Sequence, residues 1–398
     1  MLAPYRLVLA APGAAAFSGA GFLARLPMST MTLGIVLLVA GRTGSYGLAG
    51  TVSGVYMVTA ALSSPVLARL IDSRGQRRLL VPCMLGFAAA MVLLVLAVEG
   101  DWPTPLPHLM AGAAGIMYPP VGACIRARWT QVLEAGPSLQ TAFAFEAVVD
   151  ESVFIFGPVL VTLLATRVHE AAGILAVLVV AVSGGLRLAS LVDSEPPTGD
   201  STRRSGAGDL LGGRWLAPVV AGAVCLGLLF GSCEVIAVAF ADEHGEPGVV
   251  GYLLAVWAGG SLIAGLVTGS VQWQLPVLTR YRAGAVVLAA SMLPLPFVDH
   301  ILLLAVVLFL GGFAISPTLV SIVSLIEVNV PQTRLTEGMT WLGTGLNFGV
   351  APGAAVSGLL IDHYGASTAF WLPAVAGVLA AGIAFSTGEA RRPLPLPE

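Results

Sequence analysis

Long apolar stretches separated by short polar ones run along almost the whole chain. A window of about twenty apolar residues is long enough to cross a bilayer as an α-helix. Twelve such windows can be placed, near residues 9–38, 46–68, 79–98, 107–126, 139–165, 171–191, 215–241, 249–270, 276–298, 301–323, 336–361 and 367–387. The pattern therefore predicts an all-α integral membrane protein with twelve transmembrane helices.

One long polar segment interrupts this pattern. Residues 193–213 are rich in Pro, Gly, Ser and charged residues and have no apolar period, which is typical of a flexible linker. The segment separates residues 1–192 from residues 214–398, and each part holds six predicted helices. Such symmetry of hydropathy is typical of a duplicated transporter. We therefore predict two pseudo-symmetric six-helix bundles joined by a cytoplasmic linker.

The first window is the longest in the N-terminal half, and it contains Arg25, Leu26 and Pro27 near its middle. A proline kinks a helix without reversing the chain, so we predict one kinked span. The alternative is a pair of short helices, which would give thirteen spans.

The basic residues are unevenly distributed among the predicted loops. All 19 are arginines, and with a cytoplasmic N-terminus the outer loops hold only Arg42 and Arg167. The inner loops and ends hold Arg6, Arg69, Arg74, Arg77, Arg78, Arg126, Arg128, Arg187, Arg203, Arg204, Arg214, Arg280, Arg282, Arg334, Arg391 and Arg392. Because basic loops stay on the cytoplasmic side, we predict a multi-pass protein of the cell membrane with both termini in the cytoplasm.

The composition narrows the chemistry that the chain can carry. Apolar residues make up 57% of it, charged residues 10%, and the mean hydropathy of +0.90 excludes a soluble protein. The sequence has no lysine, which excludes a phosphate-binding P-loop and a Schiff base. The four cysteines lack CxxC spacing and no histidine falls in the interior of a span, so we expect no metal or other cofactor. The net charge of −3 gives no indication of a nucleic-acid partner.

The loop between the second and third spans carries a recognisable motif, Ala68-Arg-Leu-Ile-Asp72-Ser-Arg74-Gly75-Gln-Arg77-Arg78. It resembles the G-x-L-x-D-x-x-G-R-[RK] signature of the major facilitator superfamily, with Ala68 in place of the leading Gly and Gln76 before the basic pair. Asp72 can cap the next helix and pair with a nearby Arg, while Gly75 allows a tight turn. The resemblance implies a conformational-switch role for Asp72, Arg74, Gly75, Arg77 and Arg78.

Two further segments resemble parts of the family's motifs. Gly157-Pro158 in the fifth span is similar to part of the G-x-x-x-G-P-x-x-G-G motif of its proton antiporters. Gly358-Leu-Leu-Ile-Asp362-His-Tyr-Gly365 repeats the spacing of the Asp72 motif on the outer side. The resemblance implies two bundles around a central cavity, lined mainly by spans 1, 4, 7 and 10, that is exposed to each side in turn.

Glycines at four-residue spacing mark helix faces where backbones can approach closely. They are Gly50 and Gly54 in span 2, Gly265 and Gly269 in span 8, and Gly345, Gly349 and Gly353 in span 11. We expect these faces at the moving contact between the two halves.

Five ionisable residues fall inside predicted spans: Arg25, Glu146, Asp150, Glu151 and Glu234. A charge at the bilayer centre costs roughly 2.5–3.5 kcal/mol on insertion scales, so each needs a partner, a cavity or a function. Arg25 and Glu234 lie at matching offsets in the two halves, so we expect them to face each other across the cavity.

Three of these residues lie on span 5. Glu146 and Asp150 are about 40° apart around a helix, whereas Glu151 is rotated by about a further 100°. Neighbouring carboxyl groups in the membrane favour a group that loads and releases a proton near neutral pH. We predict that Glu151 or Asp150, with Glu146 nearby, carries a coupling proton and that Arg25 is the switchable counter-charge. The alternative is a permanent salt bridge from Arg25 to Glu151 or Asp150 that holds spans 1 and 5 together.

Four residues are candidates for binding a solute by stacking or hydrogen bonding in an apolar cavity: Tyr118, Glu234, Trp341 and Asn347. Two have simpler alternatives. Trp341 could anchor the helix at the membrane interface, and Tyr118 could pack the kink at Pro119-Pro120.

Together these features predict a secondary-active transporter, not an enzyme. We expect proton-coupled efflux of a small organic solute by alternating access, with solute, protons and membrane lipid as partners and a monomer as the working unit. The alternative within transport is proton symport or uniport of a sugar-like or amphiphilic nutrient. A membrane enzyme or lipid-modifying protein would have only embedded carboxylates for its chemistry.

Overall fold

A computed structural model describes residues 3–134, 137–197, 216–270, 275–329 and 335–388. The N-terminal half comprises α1 (Ala3–Leu9), α2 (Ala14–Arg25), α3 (Pro27–Thr43), α4 (Tyr46–Arg74), α5 (Gln76–Glu99), α6 (Pro105–Met117), α7 (Val121–Val132), α8 (Pro137–Arg167) and α9 (Ala172–Ser190). The C-terminal half comprises α10 (Leu216–Glu243), α11 (Val250–Ser270), α12 (Val277–Met292), α13 (Ile301–Asn329), α14 (Leu335–Tyr364), α15 (Ala366–Ala369) and α16 (Trp371–Ser386).

The described part of the chain is helical, and 11 of its helical segments are long and apolar enough to cross a membrane. The predicted ninth span corresponds to α12, which has only 16 residues and is followed by the 3₁₀ turn Leu295–Phe297. An α-helix of that length rises about 24 Å, short of the hydrocarbon thickness by itself. The prediction of an all-α membrane protein is confirmed, and its count of twelve helices agrees once this shorter helix is included.

The predicted linker lies mostly outside the described residues. Its first residues follow α9 in the 3₁₀ turn Val192–Ser194, and residues 198–213 are among those that the structure does not describe. The division at 193–213 therefore stays a prediction.

Two spans are broken where the sequence places proline. In the first span α2 passes into α3 through Leu26, whose backbone stays helical, with Pro27 as the first residue of α3. The chain continues as one segment of 30 residues, so the prediction of a single kinked span is confirmed. In the fourth span Tyr118 is extended and separates α6 from α7, because Pro119 and Pro120 supply no backbone N–H.

The two ends of the helical bundles are named here by their loops. The Arg-rich face is the end where α4 passes into α5, beside Arg74, Arg77 and Arg78. The opposite face is the end where α3 passes into α4, at Gly44 and Ser45.

The halves pack together through α4 with α14 and α8 with α11. Near the opposite face, a Cβ on Gly54 would lie 3.1 Å from the carbonyl oxygen of Ala351, and one on Gly251 would lie 2.6 Å from that of Pro158. Small residues thus let the helix backbones touch, as predicted for the pair that includes Gly54.

Hydrogen bonds join the halves at the same face. The Asp362 carboxylate accepts from the backbone N–H of Tyr46 at 2.8 Å, from that of Gly47 at 2.7 Å and from the Ser45 hydroxyl at 3.0 Å. The Tyr46 hydroxyl donates to Asp242 at 3.1 Å. A carboxylate of the C-terminal half therefore caps the N-terminus of α4, where helix N–H groups lack partners.

Burial along α4 changes between the two faces. Seven of the α4 residues from Gly47 to Tyr56 are buried, whereas every residue from 57 to 70 is partly or fully exposed. The helix is therefore enclosed near the opposite face and loosely surrounded toward the Arg-rich face.

Contrary to the prediction from sequence, the glycine stripe of α14 does not lie between the halves. Gly349 and Gly353 lie against the backbone of Val224 and Leu228 on α10, inside the C-terminal half and not between the halves. Gly265 likewise lies against Ser316 of α13 in the same half, and the surroundings of Gly269 are outside the described part. The spacing identifies a close contact, but it does not say which helix makes that contact.

Candidate functional site

A cluster of charged side chains lies where α2, α7 and α8 meet. Its centre is the Arg25 guanidinium, which is 1% exposed and ion-paired with Glu146 and with Asp150. Arg25 Nη1 donates to Asp150 Oδ1 at 2.7 Å, and Nε donates to the carbonyl oxygen of Gly21 at 3.1 Å. The break after Arg25 places this side chain at the end of α2, facing α8.

Glu146 is fully buried, and three donors converge on its carboxylate. Oε1 accepts from the Ser18 hydroxyl at 2.6 Å and from the Trp129 indole at 2.9 Å, while Oε2 accepts from Arg25. A buried carboxylate is tolerated when it is paired and hydrogen-bonded in this way. Glu146 thus fixes Arg25 and ties α2 and α7 to α8.

Asp150 lies one helical turn further and connects the interior to the accessible edge of the cluster. Its Oδ2 accepts from Arg126 Nη2 at 3.0 Å, while its Oδ1 accepts from Arg25. Arg126 is 47% exposed and Asp150 is 22% exposed. One carboxylate therefore bridges a buried guanidinium and a half-exposed one.

Glu151 points away from this network, as its rotation around α8 predicts. It is half-buried and makes no hydrogen bond or ion pair with any residue that the structure describes. Of the two partners predicted for Arg25 on this helix, Asp150 is present and Glu151 is absent.

Ser18, Trp129 and Arg126 are the cluster members that sequence reasoning missed. Ser18 is seven residues before Arg25, so both fall on one face of α2. That spacing was an available signal for Ser18. Arg126 was assigned to an inner loop because the predicted fourth span ended there, whereas α7 continues to Val132.

Glu234 on α10 has different surroundings from the acids of α8. Its Oε1 is buried and has no hydrogen-bond partner among the described residues. The described donors of Arg25 go to Gly21, Glu146 and Asp150 in its own half, so Arg25 does not pair with Glu234. That the two residues face each other across a cavity stays a prediction.

An aromatic pair accompanies Glu234. Phe230 lies one turn before it on α10, and its ring meets the Trp257 ring of α11 edge to face, with centroids 5.7 Å apart. Trp257 Nε1 is also buried without a partner in the described part of the chain. The sequence analysis did not single out Phe230 or Trp257, since aromatic residues in apolar windows are most often packing residues.

The other predicted solute-binding residues are spread over both halves. Tyr118 is half-buried at the break between α6 and α7, where its ring lies 5.1 Å from that of Phe87. Asn347 is exposed on α14, one turn before the residue that meets Gly54 of α4, at the point where the two helices begin to part. Trp341 is half-buried and packs against the hydrophobic core.

The motif at the Arg-rich face has a partly unexpected structure. Gly75 forms the tight turn that was predicted, with φ of 95° and the N-cap position of α5. Asp72 does not cap α5, which is a correction: α4 continues to Arg74, so Asp72 lies in its last turn and is exposed. Arg74, Arg77 and Arg78 are exposed as well.

Gln76, the departure from the family signature, organises the interior of this face. Its Oε1 accepts from Arg128 Nε at 2.7 Å, and its Nε2 donates to the carbonyl oxygen of Cys124 at 3.1 Å. Arg128 is fully buried and also donates to the Leu191 carbonyl at 2.5 Å and to Ser194 Oγ at 2.8 Å. These bonds join the start of α5 to α7 and to the end of α9.

Helices that cross a membrane, packed as two halves around charged groups, define a multi-pass membrane protein built like a transporter. The sequence matches the Major Facilitator Superfamily over residues 17–276 and again over residues 235–398. The chain therefore belongs to the major facilitator superfamily, and it is a transporter rather than an enzyme. No curated protein matches the sequence.

Solved structures of similar fold are transporters too. The nucleoside transporter NupG has a TM-score of 0.74 and 14% identity over 94% of this chain and 97% of that one. A bacterial homologue of the human lysosomal transporter Spinster, in an inward-facing and occupied conformation, has a TM-score of 0.70 and 14% identity over 97% of each chain. The human organic anion transporter MFSD10 has a TM-score of 0.64 and 14% identity over 96% of this chain and 99% of that one. At this identity the likeness concerns the fold alone.

Proposed function

We propose that this protein exports a small organic solute from the cell in exchange for protons. The observation that carries the proposal is the position of Asp150, which bridges the buried Arg25 and the half-exposed Arg126. A carboxylate that takes up a proton loses most of its attraction for a guanidinium. Protonation of Asp150 would therefore release Arg126 and loosen α7 from α8, so that proton binding changes helix packing.

The three acids of α8 would then have different tasks. Glu146 is saturated by three donors, so it holds Arg25 in place. Asp150 carries the coupling proton, with Arg25 and Arg126 as its counter-charges. Glu151, half-buried and without a partner in the described part, is the second candidate for that proton.

The state of the molecule is consistent with an exporter waiting for its solute. The described hydrogen bonds between the halves lie at the opposite face, and the Arg-rich face is the one that the positive-inside rule assigns to the cytoplasm. In this state both arginines are ion-paired with Asp150. An antiporter that faces inward has released its proton and can receive solute from the cytoplasm.

The experiment uses the full chain in proteoliposomes with a pH dye in the lumen. A solute that stabilises the purified protein in a thermal-shift screen serves as the probe. In antiport, solute entry makes the lumen more alkaline, whereas in symport it makes the lumen more acidic and in uniport it leaves the pH unchanged.

Two variants test which residue carries the coupling proton, and a third variant is the control. Asp150→Asn is expected to abolish the pH change and gradient-driven uptake while solute exchange at equal pH continues. Glu151→Gln tests the second candidate. Asp101→Asn removes an exposed ion pair with Arg42 at 3.1 Å and should behave like the wild type. Unchanged proton-driven transport in both α8 variants would refute the assignment of the coupling proton to Asp150 or Glu151.

A further inference from the structure

Two buried polar groups of the C-terminal half find no partner among the described residues. They are Oε1 of Glu234 on α10 and Nε1 of Trp257 on α11. Trp257 is only 8% exposed. Since the large majority of buried side-chain polar atoms are hydrogen-bonded, a free acceptor and a free donor on adjacent helices require an explanation.

Phe230 brings the two groups to one place. It is four residues before Glu234, so the two side chains are neighbours on one face of α10. Its ring packs edge to face on the Trp257 ring with centroids 5.7 Å apart. The carboxylate, the indole N–H and two aromatic rings therefore belong to one local site.

The site lies on the side of α10 that is turned toward the other half. Gly227 and Gly231 of α10 fall within about 60° of Glu234 around the helix and lie against α14, while Phe230 meets α11 on the other side. Of the described helices of this half, α14 and α11 pack most extensively against the N-terminal half, and α10 itself contacts α3 and α4 there. Glu234 is also the one partly exposed residue among residues 231–241, and it lies on α10 between the contacts with α14 and with α11.

Resting on the proposed transport of a solute, we infer that Phe230, Glu234 and Trp257 bind an organic cation that carries a hydrogen-bond acceptor a few atoms from its charge. The cation faces Glu234, because an ionised buried carboxylate without a counter-charge is costly. The acceptor takes the free Trp257 N–H. The faces of the aromatic rings add cation–π attraction for a quaternary or protonated nitrogen.

Three probes of nearly one shape separate these contributions. Acetylcholine has both a quaternary nitrogen and an ester acceptor. Its carbon isostere, 3,3-dimethylbutyl acetate, keeps the ester and lacks the charge, and pentyltrimethylammonium keeps the charge and lacks the ester. Each is tested on purified full-length protein by thermal shift and by calorimetry. The wild type is expected to bind acetylcholine at least tenfold more tightly than the neutral isostere and several-fold more tightly than the acceptor-free cation.

Two variants assign the preference to the site. Glu234→Gln should remove the preference for charge, and Trp257→Phe should remove the preference for the ester, a loss of about two- to tenfold for one neutral hydrogen bond. Glu234→Gln is also expected to leave the unliganded melting temperature unchanged or raised, because it removes an uncompensated charge. Glu246→Gln and Trp371→Phe, at exposed positions of the same half, are the matched controls.

Equal binding of the three probes by the wild type, including no binding of any, would overturn the inference. So would a preference for charge that persists in Glu234→Gln. A melting temperature that falls in that variant would show that Glu234 is a structural group with a partner of its own. These results concern binding alone, so they are separate from the vesicle pH measurements, which test proton exchange through Asp150.

Discussion

Glu146 and Asp150 lie one turn apart on α8 and contact the same guanidinium, yet their surroundings differ. Glu146 is fully buried and accepts hydrogen bonds from Ser18, Trp129 and Arg25. Asp150 is 22% exposed, and one of its two partners is the half-exposed Arg126. A buried carboxylate with many donors is costly to alter, whereas a partly hydrated one can exchange its partners for water.

The two residues should therefore separate stability from coupling. Glu146→Gln keeps the shape of the side chain but replaces one carboxylate oxygen with an NH₂ group, which cannot accept a hydrogen bond from the donors around it. Breaking the buried ion pair in this way should lower the free energy of unfolding by about 3–5 kcal/mol. Asp150→Asn should cost clearly less, since Arg126 can be hydrated. Melting temperatures in detergent measure the first effect, and vesicle pH measures the loss of coupling in Asp150→Asn. Equal melting temperatures for the two variants would contradict this division.

At this scale the sequence predicted three charged members of the cluster, but neither Arg126 nor the neutral members. Arg25, Glu146 and Asp150 are visible because an ionised residue inside an apolar window is unusual. Ser18 and Trp257 are ordinary residues in such windows, and Trp129 lies beyond the end of the fourth one; the role of each depends on which way its helix is rotated against its neighbours. That rotation is a property of the packed structure.

At the scale of whole helices, close contacts through glycine have two different consequences. Gly349 of α14 lies against the Val224 backbone of α10 inside one half, whereas Gly50 of α4 lies against the Ala354 backbone of α14 in the other half. In the proposed alternating-access transport, the first contact would belong to a bundle that moves as a unit. The second would exist only while the opposite face is closed.

Alanine at these glycines should separate the two kinds of contact. Gly349→Ala should lower the melting temperature, because overpacking typically costs about 1–3 kcal/mol, without favouring either conformation. Gly50→Ala should open the opposite face. The opening is measured as a longer distance between spin labels on Val168→Cys and Asp299→Cys, both exposed at that face, in a chain without its natural cysteines.

Gly343→Ala is the control for this comparison, since, apart from its chain neighbours and the nearby backbone of α14, no atom of the described residues lies within 4 Å of the added carbon. It should leave the melting temperature and the label distance unchanged. A wider label distance in Gly349→Ala than in Gly50→Ala would show that α10 and α14 move against each other during transport.

The order and number of helices could be predicted from hydropathy because each span must be apolar over about twenty residues. The breaks at Pro27 and Pro119-Pro120 could be located for the same reason, since proline is a local signal. The sequence could not predict which helix packs against each glycine stripe, because the spacing of small residues in α14 is the same whether α10 or α4 packs against it.

At the scale of the whole molecule, α4 and α14 form an antiparallel pair that crosses from one half to the other. Each helix ends in the same sequence, Leu-Ile-Asp-x-x-Gly, at residues 70–75 and 360–365. At the opposite face Asp362 of α14 accepts hydrogen bonds from the N-terminus of α4. At the Arg-rich face Asp72 lies in the last turn of α4, where it is exposed and has no partner among the described residues.

This arrangement predicts opposite effects for the two aspartates. Asp362→Asn weakens the cap on α4, which at about 0.5–2 kcal/mol corresponds to a two- to thirtyfold shift away from the closed opposite face. The distribution of distances between labels on Val168→Cys and Asp299→Cys should then gain a longer component. Asp72→Asn should shift the same distribution the other way, because Asp72 can cap α14 only when the Arg-rich face is closed.

The prediction holds only if the two substitutions shift the distribution of label distances in opposite directions. Both remove one negative charge from the end of a helix, so a general effect of charge or of lower stability would move the distribution in one direction for both. Asp299 and Asp101 are exposed carboxylates of the same face, and Asp101→Asn serves as the control for charge there. Opposite shifts would mean that each face is held closed by a carboxylate at the end of one helix, which caps the free N–H groups at the start of its partner helix. Alternating access would then exchange one cap for the other.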